Sequence, residues 1–118
     1  MPRLSFGQYE VIDDNIVEFI GDEAAQLDLD EAHECVTLYE QLKRPVAVLV
    51  NRSHSYSSSL EFIMTIAEVE NVKAFAIWVP NERSAKIAES QKMFFPIPYE
   101  RFYDRDEAIN WLKQYVLG

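Results

Sequence analysis

The side chains best able to hold a metal ion or attack a substrate are few in this chain: two histidines, His33 and His54, and one cysteine, Cys35. On a helix His33 and Cys35 point about 200° apart, so they do not clamp one ion. Neither histidine has the spacing of a zinc pattern, and a single cysteine supplies no redox pair. His54 is flanked by Ser53 and Ser55, which raises a serine–histidine chemistry. Nucleophile elbows, however, rely on glycines to expose the serine, and the only glycines are Gly7, Gly21 and Gly118. The same scarcity removes the glycine-rich fingerprints of dinucleotide and nucleoside-triphosphate sites. The carboxylates of Asp28, Asp30, Glu31 and Glu34 are explained by helix capping and a solvated face. The expectation is a non-enzymatic chain with no catalytic residue, no metal and no cofactor.

One segment invites a sharper reading. Asn51 to Ser59 is polar and follows the apolar run Val46-Ala47-Val48-Leu49-Val50, at the carboxyl end of a strand where open α/β sheets place ligands. Its hydroxyls, with the free amides of the next helix, can hold an anion such as phosphate, which leaves an anion-binding enzyme of unknown reaction as a third reading of the chain. The plainer alternative is that Ser58 is only an N-cap, with Glu61 completing a capping box.

Those residues must be positioned by strands and helices, and both are readable. Tyr9 to Ile12 and Asn15 to Ile20 are short apolar-rich runs around Asp13-Asp14-Asn15, the pattern of a hairpin. Asp28 and Glu31 form a capping box, followed by the stripe Leu29, Ala32, Val36, Tyr39 and Leu42 of an amphipathic helix that ends before Pro45. Val46 to Val50 has the length and β-branching of a strand buried on both faces. A second helix spans Ser58 to Glu70, with Leu60, Ile63, Met64 and Ala67 inward and Phe62, Ile66 and Val69 widening the stripe. Val72 to Val79 repeats the central-strand pattern. Asn81 caps a third helix reaching about Phe95, where Pro96-Ile97-Pro98 stops it. Tyr99 to Tyr103 alternates as an edge strand does. A second capping box, Asp104 with Glu107, opens the last helix, with Ala108, Leu112, Tyr115 and Val116 inward. The expected fold is α/β: a mostly parallel five-stranded sheet with an N-terminal antiparallel hairpin and about four helices.

Composition narrows the function classes. The 118 residues fit one domain, 1–118, and the 20 acidic against 11 basic side chains give a net charge of −9. Such a field repels nucleic-acid phosphates and anionic lipid surfaces. No apolar run approaches the roughly 20 residues of a membrane span, and no leader-like segment follows Met1. With its lone cysteine the chain reads as cytoplasmic.

The order of elements, with Ser57-Ser58-Ser59-Leu60 after the strand Val46 to Val50, resembles the STAS superfamily of anti-sigma-factor antagonists. Four further segments carry a closer resemblance: Asn15-Ile16-Val17-Glu18, Lys43-Arg44-Pro45-Val46, Asn71-Val72-Lys73-Ala74-Phe75-Ala76 and Asp106-Glu107-Ala108-Ile109-Asn110-Trp111-Leu112. They are similar to the SpoIIAA-like family, also described as STAS/SEC14 domains. The resemblance implies a regulatory module that binds a protein partner and is controlled by phosphorylation of a serine. The family's Asp-Ser-Ser-Gly-Leu falls on Tyr56, Ser57, Ser58, Ser59 and Leu60, making Ser58 the counterpart of the phosphorylated serine. Tyr56 stands for the acidic residue and Ser59 for the glycine. The SEC14 side implies a pocket for a small apolar, lipid-like ligand. Met93-Phe94-Phe95-Pro96-Ile97-Pro98-Tyr99 supplies residues for such a pocket, for a homodimer interface or for ordinary core. The candidate ligand or interface residues are therefore Asn51, His54, Tyr56, Phe94 and Phe95.

Overall fold

A computed structural model describes residues 3–116 apart from Asp14 and Ser55. Five strands of the main sheet lie where the sequence puts them: β2 (Gly7–Ile12), β3 (Ile16–Gly21), β5 (Val46–Asn51), β7 (Val72–Trp78) and β8 (Tyr99–Phe102). A sixth, β1 (Arg3–Leu4), extends the antiparallel side, so the order is β1-β2-β3-β5-β7-β8 rather than five strands. Two residues carry too little alternation to read as a strand. From β3 through β8 the pairings are parallel. A separate two-stranded parallel sheet joins β4 (Gln26–Leu27) to β6 (Ser57–Ser58).

The helices are α1 (Leu29–Leu42), α2 (Leu60–Ile66), α3 (Glu82–Gln91) and α4 (Arg105–Val116). Strand alternation sorts them onto two faces. Val17, Phe19, Val48, Phe75 and Ile77 face the layer of α1, α2 and α3. Ile16, Ala47, Leu49, Ala74 and Ala76 face α4, which presents Ala108, Ile109 and Leu112. Alanine at three of those strand positions lets α4 approach the sheet closely. Glu18 lies on the α4 side too, and its carboxylate is held by Arg105 at 2.6 Å, with Asn51 donating from β5 at 3.3 Å.

The capping expectations divide. Asp28 and Glu31 form the full capping box of α1, and Asn81 accepts from the Ser84 amide at 2.9 Å. Asp104 accepts from the Glu107 amide at 3.1 Å. Ser58 is not the cap of α2. That role falls to Ser59, whose Oγ accepts from the Phe62 amide at 3.1 Å, because Ser57 and Ser58 are drawn into pairing with β4. The second helix is shorter than expected, ending at Ile66 instead of Glu70. The third ends at Gln91, and the chain tightens into a 3₁₀ turn over Lys92–Phe94.

Some inward assignments are also corrected. Leu60 and Met64 are 47% and 49% exposed, while Phe62, Ile63, Ile66, Ala67 and Val69 are buried. Phe62 and Ile66 are one turn apart and take the core with Ile63; Leu60 and Met64, also one turn apart, are left outside. Leu29 and Tyr115 are exposed as well, Leu29 because it is the first residue of α1, ahead of the packed turns. No helix among the described residues is long and apolar enough to cross a membrane.

Candidate functional site

The segment 51–59 leaves the sheet between β5 and α2, and its conformation is set by one aromatic ring. Tyr56 is buried and lies directly on Gly21, at the end of β3, where an added Cβ would stand 2.8 Å from the ring. Phe19 meets the ring edge-on with centroids 6.1 Å apart. The Tyr56 hydroxyl donates to the Asn51 carbonyl at 2.9 Å, and the Arg52 guanidinium sits 4.2 Å from the ring centroid while donating to the Tyr56 carbonyl at 2.8 Å. Burial pushes the Tyr56 hydroxyl up to about 12, against the nearby Arg52 charge. It is a neutral donor at physiological pH.

The other expected site residues take separate places. Asn51 closes β5 and spends its side chain on Glu18 and on the Ser53 amide. His54 is exposed, with Nδ1 3.1 Å from the Gly21 carbonyl. Among the serines, Ser57 is exposed and Ser58 is half-buried. Ser59 is engaged as a cap and also donates to Asp28 Oδ1 at 2.8 Å. Ser55 lies outside the described residues. Phe94 and Phe95 part company: Phe94 is 39% exposed, whereas Phe95 stacks on Tyr99 at 4.5 Å and meets Phe75 at 4.9 Å. The structure brings Tyr56, Ser58 and Phe95 to one place, and it leaves His54 and Phe94 outside it.

That place is an apolar cavity of about 40 Å³, counted as space for the centres of water-sized spheres, between the sheet and the helices α2 and α3. Phe62, Ile63 and Ile66 come from α2, Phe75 and Ile77 from β7, and Phe95 from beyond α3. The tyrosine hydroxyls and the thiol on its border are already engaged. Tyr99 donates to the Ala88 carbonyl at 2.9 Å, and the Cys35 thiol and Tyr39 hydroxyl bond to each other. Burial holds Cys35 up at about 12, with the Glu34 charge adding to it, and raises Tyr39 and Tyr99 as well. A thiol this protonated is a poor nucleophile.

Outside the cavity lies an open polar vestibule bordered by Arg52, His54, Arg83 and Ser84. Arg52, Tyr56 and Ile87 border both spaces. Arg52 and Arg83 are the residues that sequence reading missed. The signal for Arg52 was present, a cation directly after a central strand in an acidic chain. Arg83 meets it only through the fold.

A family model described as "Domain of unknown function (DUF7793)" matches residues 10–116. No curated protein matches the chain. Among solved structures, the chain is similar to an uncharacterised protein of the DUF3478 family with a SpoIIAA-like fold from Shewanella loihica PV-4. The TM-score is 0.63 and the identity 18%, covering 95% of this chain and 98% of that one. It is also similar to the anti-sigma factor antagonist SpoIIAA in its unphosphorylated form, with a TM-score of 0.53 and 13% identity over 91% of this chain and 97% of that one. At these identities the likeness establishes the fold, which is SpoIIAA-like.

Proposed function

Because the chain belongs to the DUF7793 family, whose description assigns no activity, we propose from its own surface that it is a non-enzymatic regulatory module docking a protein partner on the outer face of α2, with Ser58 as a switch. The observation that carries this is the pair Leu60 and Met64, one turn apart and both about half exposed, immediately after the three serines. Apolar side chains at i and i+4 on a solvent face are what a partner buries. The SpoIIAA-like fold, shared with an anti-sigma factor antagonist, supports the same reading. A phosphate on Ser58 adds about −1.5 to −2 charges beside that face and acts by changing how a partner packs there.

The test is capture from a lysate of the native cells with wild type, Leu60→Asp, Met64→Asp and Ser58→Asp. Each substitution is expected to lose the same partner while circular dichroism stays unchanged. Sedimentation distinguishes a second copy of the chain from a different protein. An identical set of captured proteins and an identical mass for all four chains refutes the proposal. A second reading, binding of a small apolar ligand, is favoured by the cavity beneath α2 and α3, whose border is mostly aromatic and aliphatic.

A further inference from the structure

The cavity and the vestibule differ in chemistry and share a wall. Inside, the border is mostly hydrocarbon, with Ser58 and Gln91 among its few polar groups, and the hydroxyls of Tyr56 and Tyr99 are engaged with the Asn51 and Ala88 carbonyls. A polar guest finds few free partners there, and an apolar one loses nothing by entering. Outside, the chain has 20 acidic side chains against 11 basic ones, yet among the described residues no Asp or Glu borders either space. Two arginines and a histidine do. Arg52 is fixed by the Tyr56 ring and carbonyl and makes no ion pair among the described residues; Arg83 makes none either. Elsewhere Arg3, Arg101 and Arg105 each hold a carboxylate. Cations left unpaired beside an apolar opening, in an acidic protein, are placed to receive an anion brought from outside.

Resting on the reading of the cavity as a ligand site, we propose that this site takes a single-chain anionic amphiphile, its hydrocarbon end in the cavity and its carboxylate or phosphate head at Arg52 and Arg83. The cavity of about 40 Å³ has room for roughly three water-sized groups. The inner part of the guest is therefore three or four carbons of one chain, and the rest of the chain crosses the border at Ile87. Two-chain lipids do not fit. Among the residues that border the vestibule the side chains of fixed charge are Arg52 and Arg83, so these cations are the ones that meet the head group.

The experiment uses the full chain and displacement of the neutral dye N-phenyl-1-naphthylamine by octanoate, octyl phosphate and octanol, with wild type, Arg83→Gln and Arg52→Gln. Octanoate and octyl phosphate are expected to displace the dye at least tenfold more strongly than octanol. Arg83→Gln, at an exposed residue with no hydrogen bond or ion pair among the described residues, removes most of that preference and leaves octanol unchanged within twofold. Arg52→Gln does the same where its circular dichroism matches wild type. Shortening the acid from eight to six carbons weakens it about fourfold per methylene lost from the cavity. Equal displacement by octanol and octanoate in wild type overturns the anionic head group and leaves the apolar site standing; no dye binding, or none displaced by any of the three, overturns both. A third arm separates sources: flotation with vesicles of dioleoylphosphatidylglycerol, unaffected by excess octanoate, assigns the arginines to a membrane surface and overturns a free ligand.

Discussion

Gly21→Ala puts a methyl group where the ring of Tyr56 already lies. The new Cβ would stand 2.8 Å from Cγ and 2.9 Å from both Cδ atoms, against about 3.5–4.0 Å for a comfortable carbon contact. The ring has little freedom to withdraw, since its hydroxyl is tied to Asn51 at 2.9 Å and Arg52 holds both its face and its backbone carbonyl. Overpacking of this kind costs about 1–3 kcal/mol. Replacing glycine returns about 0.4–1 kcal/mol through the unfolded chain. A net loss of about 1–2 kcal/mol follows, which for a domain of this length lowers Tm by roughly 4–10 °C. Thermal denaturation by circular dichroism measures it, and a double-mutant cycle identifies the cause. Tyr56→Ala alone costs about 3–5 kcal/mol, but in that background the methyl has space and Gly21→Ala becomes neutral or slightly stabilising. An unchanged Tm for Gly21→Ala in wild type, or an equal loss with and without the ring, refutes the account of how this segment is held.

Two further outcomes are expected. The fold keeps protons on Cys35, at about 12, and on Tyr39, Tyr56 and Tyr99, all raised by burial; the unfolded chain releases them from about pH 9 upward, so this stability is full below pH 9 and falls as pH rises from 9 to 12, by at most about 1.4 kcal/mol per pH unit per group. Urea midpoints at pH 8, 9.5 and 10.5 should drop in that order and drop less in Cys35→Ala, and a constant midpoint contradicts the burial of these groups. Arg105→Ala leaves Glu18, whose side chain is 13% exposed, facing α4 without its cation; because Arg105 itself is 37% exposed, a loss of about 1–2 kcal/mol is expected, and a Glu18→Gln/Arg105→Ala cycle with a coupling below about 0.3 kcal/mol refutes it.

The strands were legible because their signals are local. Val46 to Val50 and Val72 to Val79 are apolar runs that suit only a strand covered on both faces, and Asp28 and Asn81 cap the next helix with nothing brought from afar. The start of α2 was not legible for the opposite reason. Three consecutive serines are equivalent caps in the sequence, and the choice of Ser59 is made by Gln26–Leu27 pairing with Ser57–Ser58 and by Asp28 accepting from Ser59. Leu60 and Met64 were misassigned because α2 is seven residues long and apolar on several sides, so periodicity does not fix its phase. The candidate site was half legible. Segment 51–59 follows from the strand end, whereas the cavity is a gap between helices, and Arg83 reaches the same vestibule as Arg52 only because α3 begins beside the end of β5.

The small sheet of β4 and β6 carries a mechanical consequence. The Ser57 amide donates to the Ala25 carbonyl at 3.0 Å, and the Ser59 amide to the Leu27 carbonyl at 2.8 Å. Asp28, next along the chain from Leu27, caps α1; Ser59 caps α2; and the two side chains touch. The roots of both helices are thus bolted to a single plate. A displacement of the serines cannot tilt α2 alone but swings α1 with it, so a local event in a three-residue stretch is delivered to half of one face of the sheet.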